Sequence, residues 1–273
     1  MTTSTIAVPA HRAAAVPDAT RYATLVATLG ARSLKTRYRG SFVGVFWSLS
    51  NPLLLTAVYT AIFGTAFASY YHGSIFDYML AVFVALSVIA FFSAATSQAL
   101  SSIVANGGLL NKIALPPSAF PVSTIAANGF QLLVGTVPLL VIVALFRTHS
   151  LVNALAIAGP LLGLVLTSLG TGIALSALYV YFRDLAYLYE VVTFIVYMTT
   201  PVFYPASIVP AGVRVYLQLN PISVIVSSLR DIVLVPALPS LRDVFLPVLT
   251  GVAVLAVGAL IFAPLRRDFL DLL

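Results

Sequence analysis

Two lysines, three histidines, eight carboxylates and no cysteine are spread over 273 residues, and their spacing excludes most polar chemistry. Neither Lys35 nor Lys112 follows a glycine, so there is no Gly-x-x-x-x-Gly-Lys phosphate loop and no ATP binding by that route. His11, His72 and His149 lie far apart, in a tail or in loops, and form no metal-ligating cluster. No Gly-x-Ser-x-Gly nucleophile elbow occurs. Carboxylates inside apolar segments are the usual mark of ion coupling. Glu190 is the one carboxylate placed within such a segment, as a proton site or as a gate or packing contact; Asp77 lies at an interface and Asp184 adjoins Arg183. Aromatic residues are more suggestive. Tyr59, Phe63, Phe67 and Tyr70 run along nearly one helical stripe, and Tyr189, Thr193 and Tyr197 recur every four residues, with Phe194 nearby. Ring faces with hydroxyl edges suit sugars, whose C–H faces are apolar and whose rims hydrogen-bond. The ordinary alternative is an aromatic belt at the ends of membrane spans.

The elements that would position these residues follow from composition. The chain is 60% hydrophobic and 8% charged, with a mean hydropathy of +1.05. Soluble domains are about 25% charged. Few charges remain to cover so much apolar sequence, which makes this an all-α polytopic membrane protein. A net charge of +6 would suggest nucleic acid in a soluble protein. Beside membrane spans such cations instead set topology, so no nucleic-acid partner is expected.

Residues Met1 to Ala19, rich in Ala, Thr and Pro, read as a disordered cytoplasmic tail. Thr20 to Arg39 reads as an amphipathic helix in the membrane interface: Tyr22, Leu25, Val26 and Leu29 form its apolar stripe, and Arg32, Lys35, Arg37 and Arg39 its charge. Six spans follow, near Phe42–Phe67, Tyr78–Ile103, Phe120–Phe146, Leu155–Tyr181, Ala186–Phe203 and Val244–Ala263. Asn51-Pro52 predicts a kink or a broken first turn in the first of them. Tyr204 to Asp243 carries five prolines, and its apolar part, Pro221 to Val235, is fifteen residues long. As a helix that is about 22 Å, short of the roughly 30 Å of hydrocarbon, so a re-entrant or interfacial element is expected. Six spans put both termini on one side with ten of the fourteen Lys and Arg residues, leaving Arg147, Arg214, Arg230 and Arg242 opposite. The positive-inside rule then places the termini in the cytoplasm.

Four segments together resemble the membrane subunit of type-2 ABC exporters, in the branch that exports lipid-linked polysaccharides such as O-antigen, teichoic acid, capsule or galactan. They are LKTRYRGSFVGVFWSLSNPLL (Leu34–Leu54), ANGGLLNKIALPPSAFPVS (Ala105–Ser123), YFRDLAYLYEVVTFIVYMTTPVFYP (Tyr181–Pro205) and LNPISVIVSSLRDIVL (Leu219–Leu234). Val43 stands where that family often has Leu, a mild departure. The resemblance covers about Arg21 to Leu273 and makes residues 20–273 one transporter domain. It implies a homodimer in the inner (plasma) membrane, with two separate ATPase subunits that hold ATP and magnesium; this chain itself needs no cofactor. It further implies that the interfacial helix touches the ATPase, and that Asn106, Leu109, Leu110 and Lys112 belong to a coupling helix docking into it. Tyr204, Asn220, Pro221, Arg230 and Asp231 would lie on short helices gating the outer mouth. Tyr59, Phe63, Phe67, Tyr189, Phe194 and Tyr197 would face the sugar channel.

Rival readings are an exporter of a small lipid or drug, a membrane enzyme acting on polyprenyl-linked sugars, and an ion-coupled carrier. The enzyme should show paired carboxylates near the inner interface, which only Asp184 and Glu190 approach. The carrier should show internal repeats and buried charges, and no clear repeat is found.

Overall fold

The computed structural model describes residues 19–41, 44–113 and 115–272. The expected tail, except Ala19, lies outside these, as do Phe42 and Val43.

Side-chain caps open several helices. Ser74, Ser150 and Ser240 each accept, through Oγ, from the backbone N–H three residues on, at 3.2, 3.4 and 3.2 Å. Asn220 Oδ1 accepts from Ile222 N at 3.0 Å. Each cap satisfies a backbone donor that the first turn leaves free. The helices are α1 (Ala19–Arg37), α2 (Ser50–Phe67), α3 (Ile75–Ala105), α4 (Gly107–Leu110), α5 (Ala119–Gln131), α6 (Val137–Thr148), α7 (Leu151–Ala156), α8 (Ala158–Tyr181), α9 (Leu185–Thr199), α10 (Ala211–Leu219), α11 (Pro221–Leu234), α12 (Leu241–Leu265) and α13 (Phe269–Leu272). A 3-10 turn, Gly44–Leu49, leads into α2, so the break expected at Asn51-Pro52 falls at the start of that helix. A π-turn, Leu132–Thr136, joins α5 to α6.

Among the described residues, five continuous helical stretches are long and apolar enough to cross a membrane: Phe46–Tyr70, Ile75–Ala105, Ala119–Thr148, Leu151–Tyr181 and Leu241–Leu265. The remaining expected span, Ala186–Phe203, corresponds to α9, whose fifteen helical residues cover about 22 Å. Buried share orders the bundle: 78% of the apolar window of α3 is buried, against 11% for the first stretch and 17% for the last. Helix α3 is therefore the central post. Helices α2, α5, α8 and α11 pack on it, and α12 lies along α8.

Close approach of α8 and α12 rests on glycine. A Cβ on Gly163 would meet the Pro247 carbonyl oxygen at 2.3 Å; one on Gly170 would meet that of Val254 at 2.4 Å; one on Gly258 would meet that of Gly170 at 2.1 Å. Backbone thus touches backbone, the contact by which membrane helices gain dispersion energy without a hydrophobic drive. Three buried threonines donate within their own helices: Thr56, Thr96 and Thr167 reach the carbonyls four residues back at 2.6, 2.6 and 2.8 Å.

Helix α1 keeps the stripe read from its sequence. Tyr22, Leu25, Val26 and Leu29 are half-buried, Gly30 is buried against Ser123 O, and Tyr22 Oη meets Ser118 Oγ at 3.1 Å. The helix lies along α5. Arg32, Lys35 and Arg37 are on it, and Arg39 follows in the turn that Gly40 closes at φ 79°.

Replacing Gly170 or Gly258 by Val should therefore separate α8 from α12, at a cost of about 3 kcal/mol or more. A fall in the thermal unfolding midpoint of the detergent-purified chain reports it. Gly129→Ala, where a Cβ meets nothing within 4 Å, should leave the midpoint unchanged or raise it slightly.

Candidate functional site

The aromatic residues do not form one lined face. Tyr59, Phe63 and Phe67 of α2 stack in succession, and the first two also stack on Phe203, with Tyr59–Phe203 and Phe63–Phe203 centroids at 5.3 and 5.8 Å. Tyr59 Oη and Tyr197 Oη share a hydrogen bond of 2.6 Å. Phe67 and Tyr71 pack on Tyr78, whose hydroxyl donates to Phe203 O at 2.8 Å. Four of the six expected channel aromatics thus meet, but as a seam within one subunit joining α2, α9 and α3. Phe203, at a span border, is its hub.

The other two part company. Tyr189 is buried and donates to Thr96 Oγ1 at 2.5 Å, so it cannot meet a passing cargo; the packing of α9 on α3 corrects that expectation. Phe194 points the opposite way and is 62% exposed. The four-residue spacing of Tyr189, Thr193 and Tyr197 does mark one face of α9, and that face turns inward. The outward face carries Tyr187, Glu190, Val191, Phe194 and Ile195, all exposed.

The expected outer gate is a clamp. Pro201 and Pro205 break the chain after α9, leaving carbonyls without helical donors. Arg230, on α11, supplies them: its NH1 and NH2 donate to Pro201 O and Val202 O, each at 2.7 Å, and its Nε donates to Ala81 O of α3 at 2.9 Å. Asn220 caps α11 and donates to Thr199 Oγ1 and Thr200 Oγ1 at 3.3 and 3.1 Å. Pro221 takes the first position of α11, where a missing N–H costs nothing. Tyr204 Oη donates to Met198 O at 3.2 Å. Buried Asn153 closes the far end, donating to Ile232 O and Ala237 O at 3.0 and 2.9 Å. Three of the five gate residues, Tyr204, Asn220 and Arg230, thus tie this element down, and Pro221 opens its helix.

Asp231 is the exception. It lines a cavity of about 280 Å³ with Arg214, Arg242 and Asp243. Burial, then Asp243, push its carboxyl above the usual range, against the pull of Arg230. Asp77 anchors the same end of the bundle: Arg147 Nη2 reaches its carboxylate at 2.7 Å and His72 Nδ1 at 3.7 Å. Sequence reading left this pair unjoined, because seventy residues separate Asp77 from Arg147.

At the opposite end, Leu110 is buried with Ile103, Phe120, Ala177, Val180, Phe262 and Phe269, and Leu109 packs against that cluster. Leu110 thus anchors α4, and Leu109 packs beside it half-buried. Asn106 is half-buried and donates through Nδ2 to Ser102 O at 2.8 Å. Asn111, Lys112 and Ile113 are the exposed face of this loop.

These features define a multi-pass helical membrane protein with one end clamped and a small helix presented at the other. The chain belongs to the ABC-2 type transporter family, which matches residues 24–234. It is similar to O-antigen export system permease proteins RfbA. One from Klebsiella pneumoniae is 27% identical over 251 residues, covering 91% of this chain and 95% of the relative. One from Myxococcus xanthus is 26% identical over 253 residues, covering 92% and 96%.

Replacing Arg230 by Met should leave the carbonyls of Pro201 and Val202 unpaired and cost on the order of 3 kcal/mol. The thermal midpoint should fall and protease cleavage between residues 200 and 210 should accelerate. Arg230→Lys, with its single ammonium, should restore only part of the loss.

Proposed function

We propose that this chain is the membrane-spanning, path-forming subunit of an ATP-driven exporter that moves a lipid-linked polysaccharide of the O-antigen class out of the cytoplasm. The carrying observation is similarity to O-antigen export permeases along nine-tenths of both chains. The physical problem is a hydroxyl-rich polymer and a layer of about 30 Å that cannot solvate it. A path between two copies of the chain answers it. Helices α2 and α9 support that arrangement, since Leu54, Val58 and Ile62 of one and Tyr187, Phe194 and Ile195 of the other leave large apolar faces without a partner in this subunit.

In this reading α9 completes a sixth span. Its helix covers about 22 Å, and the non-helical stretch 200–205 that continues it supplies the rest. Both termini then lie in the cytoplasm with Arg32, Lys35, Arg37, Arg39 and Lys112. Two ATPase subunits, holding ATP and magnesium, dock there. Leu109 and Leu110 hold the coupling helix in the bundle, and Asn111, Lys112 and Ile113 meet the ATPase. Its closure on ATP would tilt that helix and open the path. The candidate sugar contacts become Tyr187 and Phe194, on the outward face of α9, with Glu190 beside them.

A pull-down of the tagged chain from native membranes in mild detergent tests this reading. A stoichiometric partner with a phosphate loop is the expected result. A homo-oligomer without an ATPase, under conditions that preserve such complexes, would overturn it. Lys112→Glu should lower glycan export roughly 10-fold or more while the chain still inserts and the ATPase still hydrolyses ATP. Export at the native rate would remove Lys112 from the coupling contact.

A further inference from the structure

Where the interfacial helix α1 ends, a cavity of about 310 Å³ opens between α1, α2, α3 and α5. Apolar spans surround it, yet Arg37, Ser87, Gln98, Asn128 and Gln131 line it, with Trp47 at its rim. Arg37 donates to Asn128 Oδ1 at 3.3 Å and to Gln98 Oε1, and Asn128 Nδ2 donates to Gln98 Oε1 at 2.9 Å. The guanidinium therefore meets amide dipoles only. Both ion pairs among the described residues involve Asp77, far from this site. Further in, Gln131 and Ser87 are buried, and Gln131 Nε2 and Ser87 Oγ have no hydrogen-bond partner.

Such an arrangement is costly for packing alone. A buried amide N–H and a buried hydroxyl without partners each raise the free energy of the fold, and polar groups persist within spans where something binds them. Two wall residues, Leu132 and Thr136, belong to the π-turn of the third span. Widened turns of this kind disturb the helical ladder and recur at functional sites. The available groups are mainly donors around one positive charge: the guanidinium, the Gln131 amide N–H and the Trp47 indole N–H. Their complement is an anion rich in acceptor oxygens, with room for an attached chain toward the lipid.

The geometry points to a binding site for the phosphate group of a membrane lipid, with Arg37 as its counter-ion and the Gln131 amide as a hydrogen-bond donor. Two sources share this chemistry, a resident phospholipid and the phosphate-bearing lipid anchor of a cargo. The site rests on the membrane placement of the chain and stands apart from the identity of the exported polymer or of an ATPase partner.

Trp47 is the single tryptophan of the chain, so its emission reports occupancy directly. The full-length chain in neutral-lipid nanodiscs would be titrated with short-chain phosphatidate, a short prenyl phosphate, inorganic phosphate and diacylglycerol. A saturable change is expected with a lipid phosphate and none with diacylglycerol. Affinity should fall about 10-fold or more in Arg37→Gln and in Gln131→Leu, partly recover in Arg37→Lys, and hold in Arg21→Gln, which removes another cation of α1. Response to phosphatidate assigns a resident phospholipid; response to prenyl phosphate alone assigns the cargo anchor. Equal affinity for inorganic phosphate would overturn the lipid assignment. Absence of saturation, or native affinity in an Arg37→Gln chain that elutes as the native protein does, would overturn the site.

Discussion

Inside a bilayer a backbone carbonyl that leaves a helix must find its donor within the protein, because no water is there to supply one. The segment after α9, buried within the protein, has the same need, since prolines at 201 and 205 prevent it from continuing as helix. Arg230 and Tyr78 meet the need: a guanidinium spans Pro201 O, Val202 O and Ala81 O, and a phenol takes Phe203 O. Satisfying those groups pins three elements at once, α3, α11 and the end of α9. The aromatic seam follows from the same contact, because fixing Phe203 gives Tyr59 and Phe63 a surface on which to stack. An element rich in proline is thereby held against the bundle.

That clamp also settles which side of α9 is free. Tyr189, Thr193 and Tyr197 turn toward α3 and α2, so the opposite side, with Tyr187, Glu190 and Phe194, faces out of the subunit. An exposed carboxylate among exposed aromatics would be poorly placed against lipid chains. Across a path shared by two subunits it would be hydrated and in reach of hydroxyl-rich cargo. The same division separates support from contact at the other end, where Leu109 and Leu110 turn into a buried cluster while Lys112 stays exposed.

Much of this was legible in the residues themselves. Composition determined the class, since so few charges cannot cover so much apolar sequence. Period determined the stripe of α1, where Tyr22, Leu25, Val26 and Leu29 are the half-buried set, and it grouped Tyr189 with Tyr197. Proline determined that residues 204–240 would not form a span. These are local properties, set by the helical repeat, by backbone donors and by transfer from water. The tertiary structure alone decided which way each face turns. Periodicity shows that Tyr189 and Tyr197 share a side, but only the packing of α9 on α3 shows that the side is inward. Pairings across long separations, Asp77 with Arg147 and Arg230 with Ala81, depend on how spans are arranged around α3, and no spacing in the chain encodes them. The polar cavity at Arg37 has the same origin: Gln98, Asn128 and Gln131 are unremarkable one by one, and become a site because α3 and α5 bring their amides together beside Arg37 of α1.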